Sequence, residues 1–228
     1  MAKKPKKISR KKLLKEPDEF ITFSGKLIRF GRTYRLQLAF GFGALFAILI
    51  IFSGFRYYTI KGEQKAFALL NQAQTQYETF VKDMEPAEAY EKVKPEFELL
   101  LDKYARRQGG RLARIAFAHI CYAGGAYQEA IALYQDALDD FKDNPLMSHG
   151  LLSGLGYSHE ALNENAAAVK YFERIVDGPD QILKDEALFH LGTLYRKTGD
   201  HTKSRKAFDT IVSDYPDSLY AELSKEKT

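Results

Sequence analysis

The side chains that most often carry catalysis or bind metals are few in this chain and widely separated. The sequence has one cysteine, Cys121, and five histidines. A zinc-binding helix needs two histidines four residues apart, and no pair here has that spacing. We therefore expect packing or surface roles, and no metal site, for His119, His149, His159, His190 and His201.

Three other features share residue types with chemical motifs but lack their spacing. Cys121 falls inside a predicted helix without an activating partner, which favours a buried thiol over a nucleophile. Gly124-Gly125 lacks the Lys-Ser/Thr ending of a phosphate-binding loop. A cluster of aspartates lacks the alternation of a calcium loop and predicts a solvated face: Asp136, Asp139, Asp140 and Asp143. We expect no cofactor and no enzymatic activity.

The formal net charge of +4 conceals an uneven distribution along the 228 residues. Residues 1–35 contain 12 Lys and Arg against three acidic residues, whereas the rest contains 22 against 27. Such asymmetry indicates that the two parts meet different surroundings. The acidic balance of the larger part argues against nucleic acid as a ligand.

An uncharged apolar segment lies between these two parts. Residues 36–55 read LQLAFGFGALFAILIIFSGF, and at about 1.5 Å per residue they form a helix about 30 Å long, enough to cross a hydrocarbon core. A buried core helix would be shorter or amphipathic, and a cleaved signal peptide would have a shorter basic leader. We predict one transmembrane helix. The positive-inside rule places the N-terminus in the cytoplasm, which in a bacterium means the inner membrane with residues 56–228 in the periplasm.

The basic leader has two sections. Residues 1–15 are lysine-rich and predict a disordered tail near anionic headgroups. Further on, four apolar residues recur at helical spacing with two basic residues between them, which predicts a short amphipathic helix at the membrane interface: Phe20, Phe23, Lys26, Leu27, Arg29 and Phe30. Docking onto the cytoplasmic side of a membrane partner is an equal alternative, and we expect lipid contact over residues 20–58.

The acidic part repeats itself in units of 34 residues, at 185–218, 149–182, 111–144 and, more faintly, 74–107. A first helix carries a large residue followed by a small one, as in Leu191-Gly192 and Leu155-Gly156. A polar turn with Gly or Asn follows. The second helix has an aromatic and, three residues later, a smaller apolar residue, at Phe208/Ile211, Phe172/Ile175, Tyr134/Ala137 and Phe97/Leu100. Pro95 predicts a kinked or broken second helix in the faint copy.

This pattern resembles the tetratricopeptide repeat (TPR) family. The resemblance implies an all-α fold in which one transmembrane helix precedes a right-handed α-solenoid of three to four helix pairs. We predict a basic leader at 1–35, a transmembrane helix at 36–55, a stiff helical stalk at 56–73, the solenoid at 74–218 and a short tail at 219–228. The last helix pair would be partly uncovered.

Proteins of this family generally bind peptides or partner proteins on the inner face of the solenoid, which first helices line. Helical geometry predicts the groove residues Ile115, His119, Tyr122, Ser153, Tyr157, Glu160, Phe189, Thr193 and Arg196. Only Arg196 is basic among them, so a lysine-rich clamp for a C-terminal carboxylate is not supported.

The order of leader, span and repeats resembles the YfgM-like ancillary subunit family of the bacterial Sec translocon. That resemblance implies a periplasmic TPR domain that contacts the translocon and periplasmic chaperones. We expect a membrane-anchored scaffold that binds proteins in export or envelope assembly. The alternative is a structural accessory subunit of another membrane complex, held through residues 20–55.

Overall fold

The computed structural model describes residues 19–227, and within that range the chain has ten helices and no strand. The predicted all-α class is confirmed. The lysine-rich tail predicted at residues 1–15 lies outside the described residues. The helices are α1 (Glu19–Thr33), α2 (Arg35–Phe80), α3 (Pro86–Tyr104), α4 (Gln108–Ala123), α5 (Tyr127–Phe141), α6 (Pro145–Ala161), α7 (Asn165–Val176), α8 (Lys184–Lys197), α9 (His201–Asp214) and α10 (Leu219–Lys225).

The chain divides after Thr59 into two compact units. The first contains α1 and the apolar first part of α2. Most large apolar side chains in that part are exposed, from 53% at Leu45 to 72% at Phe40. Within residues 19–227, α2 is the one helix long and apolar enough to cross a membrane.

The second unit begins at Ile60, so most of the segment predicted as a stalk lies within it. The reason is burial: Ala66, Leu70 and Ala73 on the later part of α2 are at most 5% exposed. Leu70 and Ala73 join the same core cluster as residues of α3 to α6. Phe67 on the same segment is 37% exposed, so the apolar residues of this part of α2 are only partly buried.

From α4 onward, each helix packs mainly against its neighbours in sequence, as expected of a solenoid. The helix pairs α4/α5, α6/α7 and α8/α9 correspond to the repeats at 111–144, 149–182 and 185–218, with the first helices beginning three, four and one residues earlier, respectively. Two residues after each first helix ends, the chain has a residue in the left-handed conformation, which Gly and Asn adopt at low cost. These residues are Gly125 (φ 81°), Asn163 (φ 61°) and Gly199 (φ 87°).

Pro95 does not break its helix. α3 runs from Pro86 to Tyr104 through it. Proline has no amide hydrogen to donate to the carbonyl of Glu91, four residues earlier. Both residues lie on the exposed side of α3, where water can hydrogen-bond to that carbonyl.

The repeated aromatic and its following apolar residue form the core of every unit, as predicted. Phe97, Tyr134, Phe172 and Phe208 are at most 1% exposed, and their partners Leu100, Ala137, Ile175 and Ile211 are fully buried. Cys121 is also buried and unpaired. Burial raises the pKa of its thiol to about 12, so the thiol stays protonated and unreactive at neutral pH.

Glycines on the first helices lie directly against these rings. A Cβ built on Gly156 would lie 2.5 Å from the Phe172 ring, and one on Gly192 would lie 2.7 Å from the Phe208 ring. Gly154 has the same relation to Tyr134, which belongs to the preceding unit. α6 therefore packs against two rings. Phe172 comes from the second helix of the same unit, and Tyr134 comes from the preceding unit.

The C-terminal segment, predicted as a short tail, contains α10. Ser218 caps this helix by accepting a hydrogen bond from the Tyr220 amide at 3.1 Å. Ala221 and Ser224 are buried, whereas Leu219 is 91% exposed. α10 packs on α8 and α9, so it covers part of the final helix pair.

Two glycines of α6 provide a matched test of this packing. We expect Gly156→Ala to lower the free energy of unfolding by about 1–3 kcal/mol, because the methyl group overlaps the Phe172 ring. Gly150→Ala on the same helix meets nothing within 4 Å and should raise it by about 0.5–1 kcal/mol through helix propensity. Urea denaturation followed by circular dichroism measures both, and equal effects would contradict the packing described.

Candidate functional site

Three first helices, α4, α6 and α8, line an open depression of about 570 Å³. We call this surface the groove; its lining residues are Tyr122, Tyr157, Glu160, Ala161, His190 and Lys197. Three of the nine predicted groove residues are therefore brought together, namely Tyr122, Tyr157 and Glu160. They lie near the C-terminal ends of α4 and α6.

Aromatic contacts connect the helices across the groove. The ring centroids of Tyr122 and Tyr157 are 6.4 Å apart, and those of Tyr157 and His190 are 4.7 Å apart in an edge-to-face arrangement. Tyr157 also packs edge-to-face on the core residue Phe172 at 5.5 Å. The groove floor is therefore continuous with the core, which fixes its shape.

The carboxylates around the groove are engaged within the protein. His190 Nδ1 lies 3.3 Å from Glu160 Oε2, and the Tyr157 hydroxyl donates to Glu186 Oε1. Lys197 donates to the side-chain oxygen of Asn163 at 3.2 Å. These bonds join α8 to α6 and to the turn after α6.

The tyrosines remain neutral hydrogen-bonding groups. Burial raises the pKa of Tyr157, and its bond to Glu186 raises it further. Burial likewise raises the pKa of Tyr122, and nearby Tyr127 and Glu160 add to the effect. Both hydroxyls keep their protons throughout the physiological pH range.

The other predicted residues of α4 and α6 do not line the depression. Ile115 packs against the core cluster, and Ser153 is only 4% exposed. His119 is exposed, but its Nδ1 lies 2.7 Å from the Tyr134 hydroxyl. Partial removal from water lowers the pKa of His119, so the ring is neutral near pH 7 and binds Tyr134.

The predicted residues of α8 are engaged elsewhere. Phe189 lies 5.0 Å from the Tyr220 ring of α10, and Thr193 donates to the Phe189 carbonyl. Arg196 donates to the Lys227 carbonyl and lies over the Phe208 ring at 5.2 Å. The C-terminal segment therefore contacts the part of the inner face that α8 was expected to expose.

Sequence reasoning missed His190 and Lys197, although the repeats contain a signal for both. When the copies are aligned, His190 matches Ala116 and Gly154, and Lys197 matches Ala123 and Ala161. The other repeats have small residues at these two positions. The larger polar side chains of His190 and Lys197 therefore project further from the surface of α8. Two of the three predicted positions on α8, Phe189 and Arg196, were each one residue away from a residue that lines the depression.

The residues predicted to lie at the membrane interface fall on α1. Phe23, Leu27 and Phe30 are 52–65% exposed, and Lys26 and Arg29 are also exposed. Phe20 lies in α1, but the structure describes side chains only from Phe23 onward. Interface contact by these residues stays a prediction.

No group of three His, Cys, Asp or Glu that could hold a metal ion occurs in the described part of the chain. The histidines instead make local contacts. Buried His149, for example, has Nδ1 2.9 Å from the Ile182 carbonyl and so holds the connector between α7 and α8. His201 is exposed near the start of α9.

Comparison with known proteins identifies the repeats. Two family models described as tetratricopeptide repeat match residues 115–182 and 186–218, and such repeats generally serve as protein-interaction modules. No curated protein sequence gives a significant match.

Among solved structures, the chain is similar to a tetratricopeptide repeat protein from Parabacteroides merdae ATCC 43184, with a TM-score of 0.54 and 19% identity. The similarity covers 69% of this chain and 58% of that one, so the chain spans less than two thirds of that protein. At this identity the likeness concerns the fold alone. The family matches and the helix pairs show that residues 115–182 and 186–218 contain tetratricopeptide repeats, a fold that generally serves as a protein-interaction scaffold.

Proposed function

We propose that the protein is a membrane-anchored scaffold that binds segments of other proteins in the groove. The observation that supports this most is the set of exposed or half-buried aromatic residues, Tyr122, Tyr157 and His190, contributed by three successive repeats. Tyrosine supplies a large contact area with little loss of conformational entropy and is enriched at binding hot spots.

The anchor would be the apolar part of α2. Its large side chains are exposed in a continuous block, including Phe42 at 68% and Ile51 at 71%. Water-exposed apolar area costs roughly 25 cal/mol per Å² relative to burial, whereas lipid would solvate it. Phe23, Leu27 and Phe30 on α1 would lie in the interface, with Lys26 and Arg29 near headgroups.

The orientation follows from charge. The leader of residues 1–35 carries 12 Lys and Arg, and basic residues favour the cytoplasmic side. The second unit, with the groove, would then face the periplasm of a bacterium. Its partners there would include translocon subunits or periplasmic chaperones, as the architectural likeness to the YfgM-like family implies, and its role would lie in export or envelope assembly.

The topology is tested with alkaline phosphatase, which folds only where its disulfides can form. Fused after Thr228 it should be active, and fused before Met1 it should be inactive. A cytoplasmic reporter should show the reverse pattern. An inactive C-terminal phosphatase beside an active cytoplasmic reporter at the same site would disprove the periplasmic placement.

Groove binding is tested by photocrosslinking in native membranes. A photoreactive residue at Ala161, which is exposed and lines the groove, should give defined adducts with translocon or chaperone subunits. Ala132 on α5 is also exposed but lies outside the groove, so the same residue there is the matched control.

The combined substitution Tyr122→Ala and Tyr157→Ala should reduce the Ala161 adducts at least about fivefold through loss of aromatic contacts. Circular dichroism should show an intact fold. Equal labelling at both positions, or adducts insensitive to the tyrosines, would contradict a role of the groove.

A second candidate is an accessory subunit held in a membrane complex through residues 20–55. It is favoured by the exposed apolar face of α1, where Phe23 is 65% exposed. Blue-native gels distinguish the two functions. We expect removal of residues 60–228, which form the second unit, to abolish co-migration with partners. A stoichiometric complex that survives this deletion would favour the accessory subunit instead.

A further inference from the structure

A chain of aromatic rings lines the depression and extends beyond it to Tyr127 of α5. Neighbouring centroids are 4.7–6.4 Å apart. The rings come from α5, α4, α6 and α8, so they link three repeats. We call this set the ring ladder; it consists of Tyr127, Tyr122, Tyr157 and His190.

The polar groups beside the ring ladder are mainly hydrogen-bond donors. Within the described part of the chain, the hydroxyls of Tyr122 and Tyr127 make no hydrogen bond, and Lys197 donates only to a neutral amide oxygen. The carboxylates nearby are already engaged, Glu160 by His190 and Glu186 by Tyr157. A ligand would therefore meet aromatic faces and available donors.

This arrangement distinguishes among the segments that a scaffold could bind. The groove has two charged residues of opposite sign, Glu160 paired with His190 and Lys197 bonded to Asn163. Neither sign of charge is favoured, so an uncharged segment matches the groove best. A helical segment has its carbonyls bonded internally and would leave the donors of Tyr122 and Tyr127 unmatched. An extended uncharged segment that offers carbonyls satisfies both conditions.

A polyproline II helix has these properties. Its backbone makes no internal hydrogen bonds, so its carbonyls are available, and proline has no amide hydrogen that would need an acceptor. It rises about 3.1 Å per residue, so two residues advance about 6 Å, close to the ring-to-ring steps. Aromatic-lined grooves are a recurrent way to recognise such segments, because the preformed helix loses little entropy on binding.

We infer that the ring ladder binds an uncharged proline-rich segment of a partner protein in the polyproline II conformation, with Tyr122, Tyr127 and Lys197 donating to its carbonyls. The inference rests on the proposed function and specifies the chemistry of the segment that the groove takes.

The test uses fluorescence anisotropy with the full-length chain in detergent micelles. The probes are labelled peptides of about ten residues: one rich in proline, and versions with alanine, glutamate or lysine in place of proline. We expect the proline-rich peptide to bind at least about tenfold more tightly than the others. Tyr122→Ala should weaken its binding about fivefold or more, and Tyr122→Phe, which loses only the hydroxyl, should weaken it less.

Phe67→Ala is the matched control. Phe67 is 37% exposed and Tyr122 is 36% exposed, but Phe67 is outside the ring ladder, so its removal should leave peptide affinity unchanged. Thermal unfolding checks that each variant is folded. Equal loss of affinity in the Phe67 and Tyr122 variants would overturn the inference.

The outcomes separate this inference from the proposed function. If a peptide without proline binds as tightly as the proline-rich one and depends on Tyr122, the inference is wrong but groove binding stands. If no peptide binds while Ala161 still gives tyrosine-dependent adducts, the inference is again wrong. If neither experiment shows binding that depends on Tyr122, both are overturned.

Discussion

The contact between an aromatic ring on each second helix and a small residue on the first helix organises the repeat unit. Phe172 lies on Gly156 and Phe208 lies on Gly192, each so close that a methyl group would overlap the ring. Interiors are close-packed, so this contact fixes how near two helices approach. Tyr134 repeats the arrangement between units by lying on Gly154. The same kind of contact therefore builds each pair and joins one pair to the next.

The groove is a consequence of that packing. Tyr157 rests on Phe172 and meets His190 at 4.7 Å, so a ring at the surface is held in place by a ring in the core. The pairing of Glu160 with His190 and of Glu186 with Tyr157 then connects α6 with α8, and Lys197 connects α8 with the turn after α6. A surface supported in this way is largely preorganised, which would reduce the entropy cost of binding the proposed segment.

Local chemistry made much of the fold predictable. Gly125, Asn163 and Gly199 end their helices in the conformation expected of them, and the aromatic at constant offset is buried in all four units. Pro95 shows the limit of local rules, because exposure of the carbonyl it leaves unbonded allows α3 to continue. The start of the second unit at Ile60 was also missed, since alanines such as Ala66 and Ala73 give a weak hydrophobic signal but pack closely.

The sequence by itself determined the helix pairs, their turns, the core positions and an apolar segment long enough to span a membrane, because these depend on periodicity and on residues with special backbone freedom. Only the tertiary structure decided which inner-face residues form the groove. Tyr122, Tyr157 and Glu160 were predictable from helical phase. The selection of His190 over Phe189 depends on how α8 is rotated against α6 and on the C-terminal segment, where Tyr220 contacts Phe189 and the Lys227 carbonyl accepts a hydrogen bond from Arg196. A rotation of one residue on a helix changes the direction of a side chain by about 100°, and that rotation is set by packing between units.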